Sequence, residues 1–217
     1  MSDRPAAGVV VHQPAKAFRY GAEAFWLVGF ALEGGLPKTA ADFGTGSGIM
    51  AMLLAARGVD AVGFDVRAEW APLWAATTAE SAHPARLVRF DVRDPCGSFD
   101  LVVSNPPYFP AGRGPSAPDP WKAAARTEGE ATLAHFLASA FAAAGPSGRV
   151  CFVLPVEREA EAVGHRAPTR WVRVGRRRVL LEWGAGSPAL RPDAVGEGDP
   201  RVTDWYARAR GEPGALG

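Results

Sequence analysis

Thr39-Ala40-Ala41-Asp42-Phe43-Gly44-Thr45-Gly46-Ser47-Gly48, followed by Ile49-Met50-Ala51-Met52-Leu53-Leu54-Ala55-Ala56-Arg57, reads as strand, glycine turn and helix in that order. Glycines at alternate positions let the backbone take positive φ and let a ligand come close. The helix behind them offers its free N–H groups to a polar ligand group. The spacing is Gly-x-Gly-x-Gly, and Ile49 stands where a dinucleotide fingerprint has its third glycine, which argues against NAD or FAD. The Gly-Lys-Ser/Thr of a nucleoside-triphosphate loop is also missing.

Three more strand-like runs follow, and each ends in a polar site. Ala61-Val62-Gly63-Phe64 ends in Asp65, about 20 residues past the turn, where an acid in α/β nucleotide folds accepts ribose hydroxyls. Leu87-Val88-Arg89-Phe90 ends in Asp91, placed to meet an adenine amino group. The run from Phe99 to Ser104 delivers Asn105-Pro106-Pro107-Tyr108. An Asn amide can accept one N–H of an exocyclic amine, and a carbonyl held rigid beside proline can accept the second. Tyr108 can lie flat on a planar ring. Such a set grips a planar amine and leaves its nitrogen lone pair free to attack. Four strands ending in four polar sites describe one crevice at the carboxyl edge of a parallel sheet.

On these motifs the chain resembles the class I S-adenosylmethionine-dependent methyltransferases of the amino-group-methylating kind, over roughly residues 15 to 155. Within them it is most similar to the bacterial tRNA (adenine-N6) methyltransferase family. The finer likeness rests on the short N-terminal lead, Phe109 after the tetrapeptide, and Ala125-Arg126-Thr127-Glu128 before a helix. The resemblance implies a Rossmann-like α/β fold: a mostly parallel seven-stranded sheet with a C-terminal antiparallel hairpin and helices on both faces. It implies S-adenosyl-L-methionine as cofactor, held by Asp42, Gly44, Thr45, Gly46, Gly48, Asp65 and Asp91. Tyr20 either covers the methionine end or packs in the core. Asn105, Pro106, Pro107 and Tyr108 take the catalytic role. Phe109 adds to the stacking on the base, and Arg113, in the Gly/Pro/Ser-rich stretch from Pro110 to Pro120, is a candidate phosphate contact. The implied substrate is adenine N6 in tRNA, with rRNA second. A DNA base, a protein glutamine amide and a non-catalytic cofactor-binding subunit remain as alternatives. Thr77, Thr78 and Ser81 stand in a region where relatives often carry Asn.

Length and composition agree. With 217 residues and 47% hydrophobic content, a single domain can bury a sizeable core. Its expected parts are a lead and helix over 1–35, a Rossmann-like core over 36–183 and a turn-rich end with a short helix over 184–217. Residues 1–14 read as loosely ordered. Trp70 and Trp74, four apart on one helical face, read as core or cofactor wall. No apolar run is long enough for a membrane, no signal-peptide pattern opens the chain, and Cys96 and Cys151 have no metal-ligand spacing. The expectation is a cytoplasmic monomer without metal. The net charge of +1 carries no global basic field. Six arginines from Arg166 to Arg178, with no acid among them, form either a solvated hairpin or a phosphate-binding patch.

Overall fold

The computed structural model describes residues 1–14, 19–94, 96–107 and 131–213. In chain order its elements are strands β1 (Ser2–Ala6) and β2 (Val9–His12), helix α1 (Ala22–Glu33), β3 (Thr39–Phe43), α2 (Ile49–Ala55) and β4 (Asp60–Asp65). A 3₁₀ turn (Ala68–Trp70) then leads into α3 (Ala71–Glu80), β5 (Arg86–Arg89), β6 (Leu101–Ser104), α4 (Leu133–Ala144) and β7 (Arg149–Pro155). A second 3₁₀ turn (Val156–Arg158) precedes α5 (Glu159–His165), β8 (Arg170–Val174), β9 (Arg178–Trp183), β10 (Asp193–Val195) and α6 (Pro200–Arg210).

The main sheet has the order β10-β8-β9-β7-β6-β3-β4-β5. Only β9 runs against its neighbours, pairing antiparallel with β7 on one side and β8 on the other. The sheet therefore has eight strands where seven were expected. The additional one, β10, lies in the turn-rich segment after residue 184 and pairs parallel with β8 over three residues. So short a strand leaves no alternating pattern to read.

Both faces of the sheet are covered, which is why the strands read as continuous apolar runs. Leu101 and Val103 of β6, with Cys151 and Val153 of β7, face a core built with α1, α2 and α6. Val102, Val150, Phe152 and Leu154 alternate to the other face, against α4 and α5. Helix α1 is buried on nearly every side, from Ala24 to Leu32, because α6 lies across it. A Cβ on Gly29 would stand 2.0 Å from the Trp205 carbonyl oxygen. Phe30 meets Trp205 edge-on at 5.6 Å, and the Trp205 indole donates to Glu33 Oε1 at 2.6 Å.

Residues 1–14 are not loosely ordered as expected. They form a β1–β2 hairpin outside the main sheet. Val9, Val10 and Val11 are buried, and the hairpin packs on α3. The driving force is burial of a three-valine run. Its partner strand, Ser-Asp-Arg-Pro-Ala, has no strand-like composition, and that hides the hairpin in the sequence.

The arginine-rich stretch does not form a contiguous phosphate patch. Arg170 binds Glu33 and Glu182, Arg173 binds Glu159, and Arg178 binds Glu23. Arg166 stacks over the Phe141 ring. The neutralising acids come from α1, α5 and β9, at separations from 12 to 155 residues. Arg166, Arg176 and Arg177 are the exposed members, the last two in the β8–β9 turn.

Candidate active site

At the carboxyl edge of the parallel strands lies a cavity of about 510 Å³, a size that suits a small-molecule cofactor. The turn after β3 forms its floor. Gly44, Gly46 and Gly48 have φ of +70°, +54° and +87°, a region that side chains with a Cβ avoid. Two of these glycines are also crowded: a Cβ on Gly44 would meet the Phe136 ring at 3.2 Å, and one on Gly48 would meet Leu87 at 2.8 Å.

Asp65 ties the end of β4 to this turn. Its Oδ2 accepts the Gly46 N–H at 3.0 Å and its Oδ1 accepts the Arg67 N–H at 3.0 Å. It lines the cavity although only 8% exposed. Burial raises its pKa, while the two backbone bonds pull the other way. A carboxylate has about four lone-pair sites, so acceptor capacity remains beyond these two bonds.

Asp42 sits behind the cavity wall. Its Oδ2 accepts the Thr45 hydroxyl at 2.6 Å and the Ala51 N–H at 3.3 Å, holding the turn against the first turn of α2. Its Oδ1 is buried without a hydrogen-bond partner among the described residues. Burial pushes its pKa up to about 7 against those bonds.

Asp91, just past β5, lines the wall beside Phe90, Val92 and Arg93. Its carboxylate is gripped by Arg93, with Nη2 at 2.6 Å from Oδ2 and Nε bridging both oxygens at 3.0 and 3.1 Å. That grip keeps Asp91 below the usual carboxylate range.

Asn105 and Pro107 reach the same cavity from the end of β6. The Ser104 hydroxyl, fully buried, donates to the Phe43 carbonyl at 2.7 Å. That bond locks β6 to β3 and sets Asn105 beside the glycine turn. Pro106 is buried. Tyr108, Phe109 and Arg113 lie outside the described residues. Tyr20 closes the wall from before α1, with Ala24 and Met50 near it.

The cavity thus brings together Tyr20, Gly44, Thr45, Gly46, Asp65, Asp91, Asn105 and Pro107. Asp42 and Gly48 support the wall without lining it, and Pro106 is buried between two residues that line it. Trp70 lines the cavity at 3% exposure, while the Trp74 indole donates to the Gly46 carbonyl at 2.8 Å. Of the two open readings, Trp70 takes the wall and Trp74 braces the turn. Phe136 and Arg93 carried no motif. The spacing of Leu133, Phe136, Leu137 and Ala140 marks the buried face of α4, but nothing in it marks Phe136 as cavity rather than core. The described residues hold no cluster of three or more His, Cys, Asp or Glu that could hold a metal ion.

The residues fit S-adenosylmethionine. A glycine cradle, a cavity of the right size, a carboxylate at the end of β4 with acceptor capacity left, and an acid past β5 stand along one wall.

Comparison with known proteins agrees with this geometry. Residues 27–116 match the family model described as methyltransferase small domain. A curated relative from Tolumonas auensis, named tRNA1(Val) (adenine(37)-N6)-methyltransferase, is 34% identical over 153 residues, covering 68% of this chain and 64% of the relative. The chain therefore spans just under two thirds of that relative. One of the same name from Porphyromonas gingivalis is 27% identical and is covered over 80% of its length, with 83% of this chain aligned. Among solved structures, a putative class I S-adenosylmethionine-dependent methyltransferase from Listeria monocytogenes superposes with a TM-score of 0.62 at 15% identity, covering 90% of this chain and 74% of that one. The fold is that of the class I methyltransferases.

Proposed function

We propose that this chain, which matches the methyltransferase small-domain model over residues 27–116 and has the class I fold, is an S-adenosylmethionine-dependent N-methyltransferase acting on adenine N6 in tRNA. The observation that carries the reading is the meeting of the Gly44–Gly46 turn, Asp65 and Asn105 in one cavity wall. The names of the aligned relatives support the choice of tRNA and of the adenine amino group. We place the reaction in the cytoplasm and assign it to a single chain working as one domain. No helix among the described residues is long and apolar enough to cross a membrane.

Bound in this cavity, the cofactor supplies an electrophilic methyl group on a sulfonium. Asp65 would hold the ribose hydroxyls of the cofactor, Asp91 its adenine amino group and the Gly44–Gly46 turn the stretch between. The Asn105 side chain and the Pro106 carbonyl accept the two N–H groups of the target amine. This would aim the nitrogen lone pair and stabilise positive charge on the nitrogen. Most of the rate gain comes from alignment and exclusion of water, with the proton leaving to solvent afterwards. Tyr108 and Phe109 are assigned to stacking on the target base, worth about 1–3 kcal/mol per base, and Arg113 to an RNA phosphate. An adenine in structured RNA has to leave its stack to reach this rim.

The test is transfer of a labelled methyl group to three acceptors offered separately: unmodified tRNA, ribosomal RNA, and a glutamine-bearing peptide. The reading expects label in tRNA. Label in the peptide alone would move the substrate to a protein amide and leave the cofactor site standing.

A further inference from the structure

The arginines between Arg166 and Arg178 reach different edges of the sheet. Strand β8 pairs antiparallel with β9, and β9 antiparallel with β7, so β8 ends at the same carboxyl edge as the parallel strands. Arg166 lies toward the opposite edge, where its carbonyl accepts the Trp183 indole at 2.7 Å and Trp183 pairs with Val150 near the start of β7. Arg176 and Arg177 lie in the turn after β8, at the edge that holds the cavity.

That edge is ordered. Along it the strands run β5, β4, β3, β6, β7, β9 and β8. The cavity is lined by Asp91 past β5, Asp65 at the end of β4, Gly44 past β3 and Asn105 past β6. The cofactor residues thus stand on one side of Asn105 and the arginine turn on the other. Strands β9 and β8 are two and three strand spacings from β6, about 10–15 Å. The turn is therefore within reach of the phosphates that flank a base placed at Asn105.

The turn is held in place while its side chains stay unengaged. The Gly175 N–H donates to the Val195 carbonyl at 2.8 Å, and the Val156 N–H donates to the Arg177 carbonyl at 3.2 Å. Next to them Arg178 grips Glu23 Oε1 through Nε and Nη2 at 3.1 and 2.8 Å. Arg176 and Arg177 are exposed, and neither side chain makes an ion pair or hydrogen bond among the described residues. Glu197 lies against Gly175, where a Cβ would stand 3.1 Å from its Oε1. That acid tempers the local field, so the turn selects by direct contact rather than by long-range attraction. A guanidinium fork matches phosphate oxygens, and a pinned backbone loses little freedom on binding.

Resting on the reading that this site methylates adenine in tRNA, we propose that Arg176 and Arg177 form a phosphate clamp for the RNA strand flanking the target base, on the side of Asn105 away from the cofactor.

The experiment is titration of unmodified tRNA into the full chain, followed by fluorescence anisotropy at several salt concentrations. It is repeated with Arg176→Gln, Arg177→Gln and the double substitution, and with Arg166→Gln, which removes the same charge at the opposite edge. The double substitution is expected to weaken tRNA about tenfold and to lower the slope of log affinity against log salt by about 1 per arginine. Affinity for S-adenosylmethionine stays at the parent value by calorimetry, and the KM for tRNA rises while kcat holds. A double variant that binds tRNA as the parent does would overturn the inference and leave the proposed function standing. Equal weakening by Arg166→Gln would do the same, since charge anywhere on the surface would then suffice. A parent chain that methylates a glutamine-bearing peptide and not tRNA would remove the proposed function, and this inference with it.

Discussion

Asp42 shows how a motif residue can brace a cavity wall without lining it. Its acidity, adjacent to the glycines, is legible in the sequence; its place behind the wall is not, because that depends on Thr45 and Ala51 closing over it. Burial raises its pKa from 3.8 to about 7. The folded chain therefore holds this proton more tightly than the unfolded one. The contribution to stability is fully present below the unfolded pKa and is lost as pH rises through the folded value, with a size of up to about 4 kcal/mol. Denaturant midpoints measured at about pH 5 and about pH 8 are expected to show Asp42→Asn flattening the loss seen in the parent chain. Parallel pH dependence in both proteins would contradict the buried-acid account. The neighbouring tetrapeptide is a different case. Asn105 was legible in place, because it follows an apolar run that could only be a buried strand.

The elements divide by how much of their reason is local. Strands β3, β4, β6 and β7 and helix α1 are written in their own apolar runs. The β1–β2 hairpin and β10 are not, since one is completed by α3 and the other by β8. The crossing of α1 and α6 is likewise invisible until Gly29 is seen against Trp205. Gly29→Ala is expected to destabilise the chain by about 1–3 kcal/mol, the usual cost of overpacking, as a fall in thermal midpoint. Gly164, in α5, would place a Cβ in open space. Gly164→Ala is therefore expected to stabilise by about 0.5–1 kcal/mol through helix propensity. A Gly29→Ala chain as stable as the parent or more so would show that the α1–α6 contact is loose.

At the scale of the whole molecule, charge separates sequence from structure most clearly. Six arginines in a row of thirteen residues look like a nucleic-acid surface, but four are occupied by Glu23, Glu33, Glu159, Glu182 or the Phe141 ring. Pairing across long sequence separations cannot be read from composition. With one or two phosphate contacts rather than many, affinity for tRNA is expected to fall only about tenfold between roughly 50 and 200 mM salt. A fall of a thousandfold would restore the basic stretch as the RNA surface. The cavity, by contrast, was largely legible: its strand ends, glycine turn and tetrapeptide each sit in a local pattern, and parallel pairing brings them to one edge. The central claim is that this edge divides its work, with cofactor held beside β3 and β4 and the amine directed from β6. The most direct measurement is titration of S-adenosylmethionine into the parent chain, Asp65→Ala and Asn105→Ala. Loss of a hydrogen-bonded carboxylate is expected to weaken binding in Asp65→Ala by about tenfold or more, while Asn105→Ala binds as the parent does and fails to transfer methyl groups. Equal weakening in the two variants would contradict the division.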